Sequence, residues 1–194
     1  MKYILSTSFL AGLLFFGCGE GADKMDKERE IYETPIHELL DSVAKLEDSI
    51  MRIVNNPDDS KPQLLNVARQ AYLEQLKLVY QTYPDHEQAP VCLSKIHMVY
   101  AGIGVHRYAL QYGDTLIEKY PDFEGTPTIM SSMFSTYDVS IEPRDTVLAK
   151  KYLRMYLDNA TDLSDEDRKG FELRLRNMDK TWEEWIEWNA QNLP

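Results

Sequence analysis

One internal repeat constrains the fold of this chain more than any other feature of its sequence. The triplet Tyr-Pro-Asp occurs at residues 83–85 and again at residues 120–122, an interval of 120 − 83 = 37 residues. The same interval separates Tyr100 from Tyr137 and Pro90 from Pro127. Between these markers the apolar residues follow helical spacing. A period of about 30–40 residues with two helices in each unit is typical of a helical solenoid.

The chain from Pro35 onward predicts helices throughout. Prolines suit the first turn of a helix and stop the helix before them, and clusters of Asn, Asp and Gly mark the turns. Ser164 and Thr181 are natural N-caps for the last two helices. The expected helices cover about residues 35–53, 62–82, 89–100 and 105–119, two helices that carry Met130 and Leu153, and two that follow Ser164 and Thr181.

The repeat resembles the tetratricopeptide family over roughly residues 36–165. His97 stands where that family usually has Gly, and Gly113 stands where it has an aromatic residue, which predicts looser packing between the two helices of that unit. The second unit has about three extra residues in its turn at 138–146. The residues that fill the family's alternating positions are Leu93, Ile96, Tyr100, Ala109, Leu116 and Pro121 in the first unit and Met130, Met133, Tyr137, Ala149, Leu153 and Tyr156 in the second.

The resemblance implies an all-α fold, a short solenoid of tetratricopeptide-like α-α hairpins with a C-terminal capping helix. Proteins of similar design include outer-membrane lipoproteins with a few such repeats, among them a subunit of the barrel-assembly machinery and a periplasmic coordinator of cell division. These relatives imply a scaffold that binds other proteins.

The N-terminus predicts export and lipid anchoring. Lys2 precedes an apolar run that ends at Phe16, which is short for a membrane-spanning helix but suits a signal peptide. Residues 14–18, Leu-Phe-Phe-Gly-Cys, resemble the lipobox of bacterial lipoproteins, although Phe15 departs from the usual Leu. The resemblance implies cleavage before Cys18 and its acylation (palmitate), with residues 1–17 as the cleaved signal peptide, 18–34 as a flexible tether and 35–194 as the repeat domain.

The resemblance also places the mature chain in the outer membrane, because Gly19 follows the cysteine where an Asp would retain the protein in the inner membrane. We expect the domain to face the periplasm, and the sequence leaves the leaflet open. The full chain carries 21 basic and 32 acidic residues, a net charge of −11, which argues against a nucleic-acid partner. An acidic protein is not drawn to anionic lipids, so the acyl chains must hold it at the membrane.

Nothing in the sequence indicates catalysis. The second cysteine, Cys92, lies at the apolar start of a helix and is expected in the core. His97 and His106 lie on adjacent expected helices but have no third ligand, and no phosphate loop or nucleophile motif occurs. We therefore expect no enzyme activity, no metal and no cofactor.

Two sets of aromatic residues are candidate partner-binding residues. Trp182, Trp185 and Trp188 recur every three residues on the last helix. They suit either a docking face, since Trp is enriched at interaction hot spots, or a helix that caps the open end of the solenoid. The second set is Tyr72, Tyr108 and Tyr112. Their rings are expected to pack mostly in the core, with the hydroxyl groups at the edge of a groove.

The apolar residues of the first helix form a heptad seam over residues 36–53. The seam is shorter than a safe coiled-coil assignment requires, so it suits packing against the next helix or a homo-oligomer. Four Asp–hydroxyl–aliphatic triplets resemble acceptors of a bacterial O-glycosylation system, although amphipathic helices often produce the same pattern. Their hydroxyl residues are Ser42, Ser49, Thr115 and Thr146.

The function that the sequence favours is a membrane-anchored protein of the bacterial cell envelope that binds a protein or peptide partner through a tetratricopeptide-like surface. The alternative is a homo-oligomeric factor in envelope assembly or cell division. A glycan-binding uptake lipoprotein is less expected, because the loops here are short.

Overall fold

Helices form the regular structure of the part of the chain that can be described. The computed structural model describes residues 34–56 and 62–192. These ranges contain helices and no strand, which confirms the all-α prediction. The helices of these ranges are α1 (Ile36–Asn55), α2 (Pro62–Thr82), α3 (Gln88–Gly102), α4 (His106–Lys119), α5 (Thr126–Ser135), α6 (Thr146–Asn159), α7 (Asp165–Arg176) and α8 (Trp182–Asn192).

The first four helices begin and end within two residues of their expected bounds, and α7 and α8 begin directly after Ser164 and Thr181. Gly104, in the turn between α3 and α4, has a φ of 74°, a conformation that glycine adopts without steric cost. The Ser164 hydroxyl accepts a hydrogen bond of 3.1 Å from the backbone N–H of Asp167 at the start of α7. At α8 the Thr181 N–H donates to the Glu184 carboxylate at 2.8 Å, and the Glu184 N–H donates to the Thr181 hydroxyl at 3.3 Å. This reciprocal pair is a capping box.

The chain divides after Thr34, and residues Pro35–Pro194 form one compact unit. The predicted signal peptide (1–17), the predicted lipidation site Cys18 and nearly all of the predicted tether (18–34) lie outside the described residues. None of the helices in the described ranges is long and apolar enough to span a membrane.

The helices pack chiefly on their neighbours in sequence and bury two clusters of apolar side chains. In the first, the predicted heptad seam of α1 packs on α2 in the same chain, and Cys92 is buried as expected. This favours the hairpin interpretation of the seam, and a homo-oligomer through residues 36–53 stays a prediction. The first cluster is Leu39, Val43, Tyr72, Leu73, Leu76, Val79, Cys92 and Ile96; the second includes Leu93, Leu116, Ile129, Met133, Tyr137, Tyr152, Leu153 and Met178.

The internal repeat is visible as a repeated contact. Tyr100 of α3 stacks on Tyr112 of α4 with ring centroids 5.9 Å apart. Tyr137, one repeat later, stacks on Tyr152 of α6 at 5.5 Å. The second partner lies 152 − 112 = 40 residues on, because the turn before α6 carries the three extra residues. The two hairpins are therefore built with the same ring-on-ring contact.

The predicted loosening at His97 is wrong. The His97 side chain is fully buried, and a Cβ atom at Gly113 would lie only 2.9 Å from its Nδ1 atom. Nδ1 donates to the Ala109 carbonyl at 2.8 Å, so Nε2 accepts from the Ser132 hydroxyl, also at 2.8 Å. The two departures from the family pattern compensate for each other, because the ring of His97 fills the space that a side chain at 113 would take.

Candidate functional site

Two of the predicted tyrosines lie in one aromatic cluster. Tyr108 and Tyr112 of α4 lie beside Tyr100 of α3, with the Tyr100 ring 5.2 Å and 5.9 Å from theirs. The Lys77 ammonium donates to the Tyr100 hydroxyl at 2.7 Å and lies 5.9 Å from the Tyr112 ring. Burial alone would lower the pKa of Lys77, but the hydrogen bond to Tyr100 and the nearby hydroxyls raise it overall. Tyr108 is 50% exposed and forms the outer edge of this tyrosine–lysine cluster.

Tyr72, the third predicted tyrosine, lies elsewhere. It is 4% exposed and belongs to the first apolar cluster, where burial raises the pKa of its hydroxyl. The ion pair between Lys95 and Glu47, with N···O at 2.6 Å, lies near it. Tyr72 therefore presents almost no surface to a partner.

The three tryptophans of α8 divide between the interior and the surface. Trp185 is 8% exposed and stacks on Trp188 with centroids 5.3 Å apart. Trp182 is 39% exposed, and the neighbouring Ile186 is 53% exposed. One edge of the helix thus faces inward, as a capping helix requires, and the other edge presents apolar surface, as a docking face requires.

A buried ion cluster lies next to these tryptophans, and no sequence pattern indicated it. Asp138 sits in a short π-helical segment, Thr136–Ser140, that continues α5. Its side chain is fully buried and accepts hydrogen bonds from Nε of Arg144 at 2.8 Å and from Nη2 of Arg174 at 2.8 Å. The Arg144 Nη2 atom also donates to the Met178 carbonyl at 2.9 Å. This Asp138 ion cluster joins α5 and its extension to α7 and to the turn before α8.

Arg174 connects the ion cluster to the tryptophans. Its guanidinium carbon lies 5.7 Å from the Trp182 ring and 5.5 Å from the Trp185 ring, within cation–π range. Its Nη1 atom donates to the Asn177 carbonyl at 3.0 Å, and Nη2 also donates to the Lys180 carbonyl at 3.2 Å. The guanidinium therefore holds the turn between α7 and α8 and fixes two indole rings.

A cavity of about 320 Å³ lies between α7 and α8, and Arg174, Trp182 and Trp185 are among the residues that line it. We name it the tryptophan cleft. A volume of this size is at the lower end of the range for ligand pockets and holds one large side chain. Gly170 of α7 opens it, since a Cβ atom there would meet nothing within 4 Å. Its apolar walls are Phe134, Phe171, Leu173, Trp182 and Trp185. Its polar residues are Glu166, Asp167, Arg174 and Asn189.

The predicted O-glycosylation residues all lie on helices and are half-buried. Ser42 donates to the Glu38 carbonyl and Thr115 to the Gln111 carbonyl, each at 2.9 Å. Ser49 lies in α1, and Thr146 is the first residue of α6. Their glycosylation stays a prediction.

Within residues 34–56 and 62–192, no group of three or more His, Cys, Asp and Glu side chains is arranged to hold a metal ion. Comparison with known proteins finds no match to this chain, whether among family models, curated proteins or solved structures. The tryptophan cleft and the tyrosine–lysine cluster contain four of the predicted partner-binding residues, namely Trp182, Trp185, Tyr108 and Tyr112.

Proposed function

We propose that this protein is a lipid-anchored scaffold of the bacterial cell envelope that binds a protein partner through a tetratricopeptide-like helical surface, without catalysis. The observation that carries the proposal is the exposed aromatic edge of α8, where Trp182 and Ile186 are 39% and 53% exposed beside a cleft. Exposed Trp at the mouth of a cavity is typical of a hot spot for protein binding.

The proposal also has support from the hairpin geometry. The repeated Tyr–Tyr stacking of α3–α4 and α5–α6 fits a solenoid of equivalent units. Tyr108, 50% exposed on α4, gives a second aromatic contact point on the surface. The lipobox-like segment ending at Cys18 accounts for the envelope location.

Site-specific photo-crosslinking in living cells tests the binding. A photoreactive phenylalanine is placed at Ile186 or Tyr108, and Val147 of α6, 75% exposed, serves as the matched control. We expect a discrete adduct from the first two positions and none from Val147. The Ile186 adduct should be lost when Trp182→Ala is added. The absence of any adduct at Ile186 and Tyr108 would overturn the proposal.

Labelling with a fatty-acid analogue tests the anchor. Cys18→Ser should abolish the label and release the protein from the membrane fraction. An unchanged label in that variant would rule out lipidation at Cys18.

A second candidate, the homo-oligomer, is favoured by one observation. At the end of α1 and the start of α2, Met51, Val54, Leu64 and Val67 are 53%, 52%, 48% and 66% exposed. A second copy of the chain could cover these side chains. Sedimentation of the native protein and of Val67→Lys tests it, and a monomer at tens of micromolar in the native protein would exclude it.

A further inference from the structure

The tryptophan cleft combines an apolar interior with a negative rim. The rings of Phe171, Trp182 and Trp185 line it, and Glu166 and Asp167 lie at its edge in the first turn of α7. A side chain that enters this cleft must therefore be apolar, and groups next to it along the ligand lie close to carboxylates.

The one cation that lines the cleft within the described residues offers nothing to an anion. The Arg174 side chain is 4% exposed, and its Nε, Nη1 and Nη2 atoms all donate hydrogen bonds inside the protein. It pairs with the Asp138 carboxylate, which it shares with Arg144. A carboxylate or phosphate on a ligand would lie near the negative charges of Glu166 and Asp167, which disfavours anionic ligands.

Hydrogen-bond acceptors line the cleft. Asn189 lines the cleft, and its Oδ1 atom is buried without a hydrogen-bond partner. The carboxylates of Glu166 and Asp167 are acceptors as well. A ligand with a positive charge can donate N–H hydrogen bonds to the two carboxylates and pair with their charge.

We propose that the tryptophan cleft binds a basic segment of a partner protein, in which an aromatic or large aliphatic side chain enters the cavity and flanking Lys or Arg residues pair with Glu166 and Asp167. This inference rests on the proposed function, because it specifies the partner chemistry of the same surface. The volume of about 320 Å³ accommodates one such side chain, and the exposed Trp182 and Ile186 cover the neighbouring residues of the segment.

Tryptophan fluorescence can be used to measure binding, because the three tryptophans of the chain all lie in α8. The full chain in detergent is titrated with acetyl-KKFKK-amide, which has no tryptophan, and the tryptophan emission is followed. We expect a saturable change. The same peptide with a central alanine should bind about tenfold more weakly or worse, because it loses the burial of one aromatic side chain. The peptide with glutamates in place of lysines should give no saturable change.

Two variants assign the binding to the cleft. Gly170→Leu fills the cavity from α7 and should weaken binding of acetyl-KKFKK-amide by about tenfold or more. Gly102→Leu places the same side chain in open space at the end of α3 and should bind as the native protein does. Glu166→Lys reverses a rim charge without touching the apolar walls and should weaken binding by about fivefold or more at low salt.

The inference is overturned if the alanine-centred peptide binds as tightly as the phenylalanine-centred one, if the glutamate peptide binds equally well, or if Gly170→Leu and Glu166→Lys both leave the affinity unchanged. Crosslinking at Tyr108 separates this result from the proposed function. An adduct there together with no peptide binding means that the scaffold binds its partner by another surface. Peptide binding without any adduct in cells means that the cleft is correct and the scaffold function is wrong.

Discussion

Removal of the Asp138 carboxylate tests the part of the structure that holds the C-terminal helices in place. In Asp138→Ala, the guanidinium of Arg174 stays in a site that is 4% exposed and loses its counter-charge, while Arg144, 17% exposed, can turn towards solvent. Breaking a buried ion pair by removing one partner costs about 3–5 kcal/mol of unfolding free energy. For a chain of this size each kcal/mol is worth about 2–4 °C in Tm, so we expect a fall of about 6–20 °C.

The tryptophans make the assay specific. Because all three lie in α8 and two contact Arg174, tryptophan emission follows the detachment of α8, while far-ultraviolet circular dichroism follows the helices as a whole. In urea the two transitions of the native protein should coincide. In Asp138→Ala the fluorescence transition should move to lower urea than the circular dichroism transition, because the lost contacts are those of α7 and α8.

An exposed ion pair on the same helix is the control. Glu172 and Arg176 of α7 are 3.5 Å apart, with side chains 43% and 73% exposed, so Glu172→Ala should cost less than about 1 kcal/mol. Asp138→Asn keeps the volume and one acceptor oxygen, but it removes the charge and turns the other oxygen into an N–H donor that faces a guanidinium, so it should also cost more than Glu172→Ala. If Asp138→Ala is no less stable than Glu172→Ala, the ion cluster does not hold these helices and the reasoning is refuted.

Three further measurements check other parts of the structure. Gly113→Ala should cost about 1–3 kcal/mol, because its new Cβ would lie 2.7 and 2.9 Å from neighbouring side chains, whereas Gly170→Ala, in open space, should gain up to about 1 kcal/mol; equal thermal shifts would contradict this. Burial lowers the pKa of His97 below 6.5, so the folded protein resists its protonation. The contribution of His97 to the unfolding free energy should therefore be complete above pH 6.5 and be lost as the pH drops below it. The unfolding free energy should then fall more steeply than in His97→Gln, and parallel pH profiles would exclude a role for His97. Burial raises the pKa of the Cys92 thiol to about 11, so in a Cys18→Ser background a thiol reagent should label it in urea and not in the folded protein.

Local sequence signals predicted the helices well because their causes are local. Prolines and cap residues act within one turn of the backbone, and so the starts of α7 and α8 follow from Ser164 and Thr181 alone. The apolar period likewise predicted which face of α1 is buried. The 37-residue interval agrees with one repeated contact, since Tyr100 and Tyr137 each stack on a tyrosine of the following α-helix.

The candidate site was predicted only in part. The tryptophan spacing indicated an aromatic face, but the cleft also needs Phe134 of α5 and Gly170 of α7, which lie 36 residues apart in sequence. Tyr72 and Tyr112 have similar helical spacing, yet one is buried and the other borders the surface cluster. The neighbours on other helices decide which tyrosine is covered, and a single helical pattern does not contain them.

The sequence by itself determined that the described part of this chain is helical, where most of its helices begin, and that its apolar faces must be covered, because those properties depend on residues within a few positions of one another. Only the tertiary structure decided which separated residues meet. Asp138 and Arg174 pair across 36 residues, and Gly113 admits the ring of His97 because each lies on a helix that the other packs against. These contacts depend on the placement of whole helices, and placement follows from the sum of all the packing contacts and from no single segment.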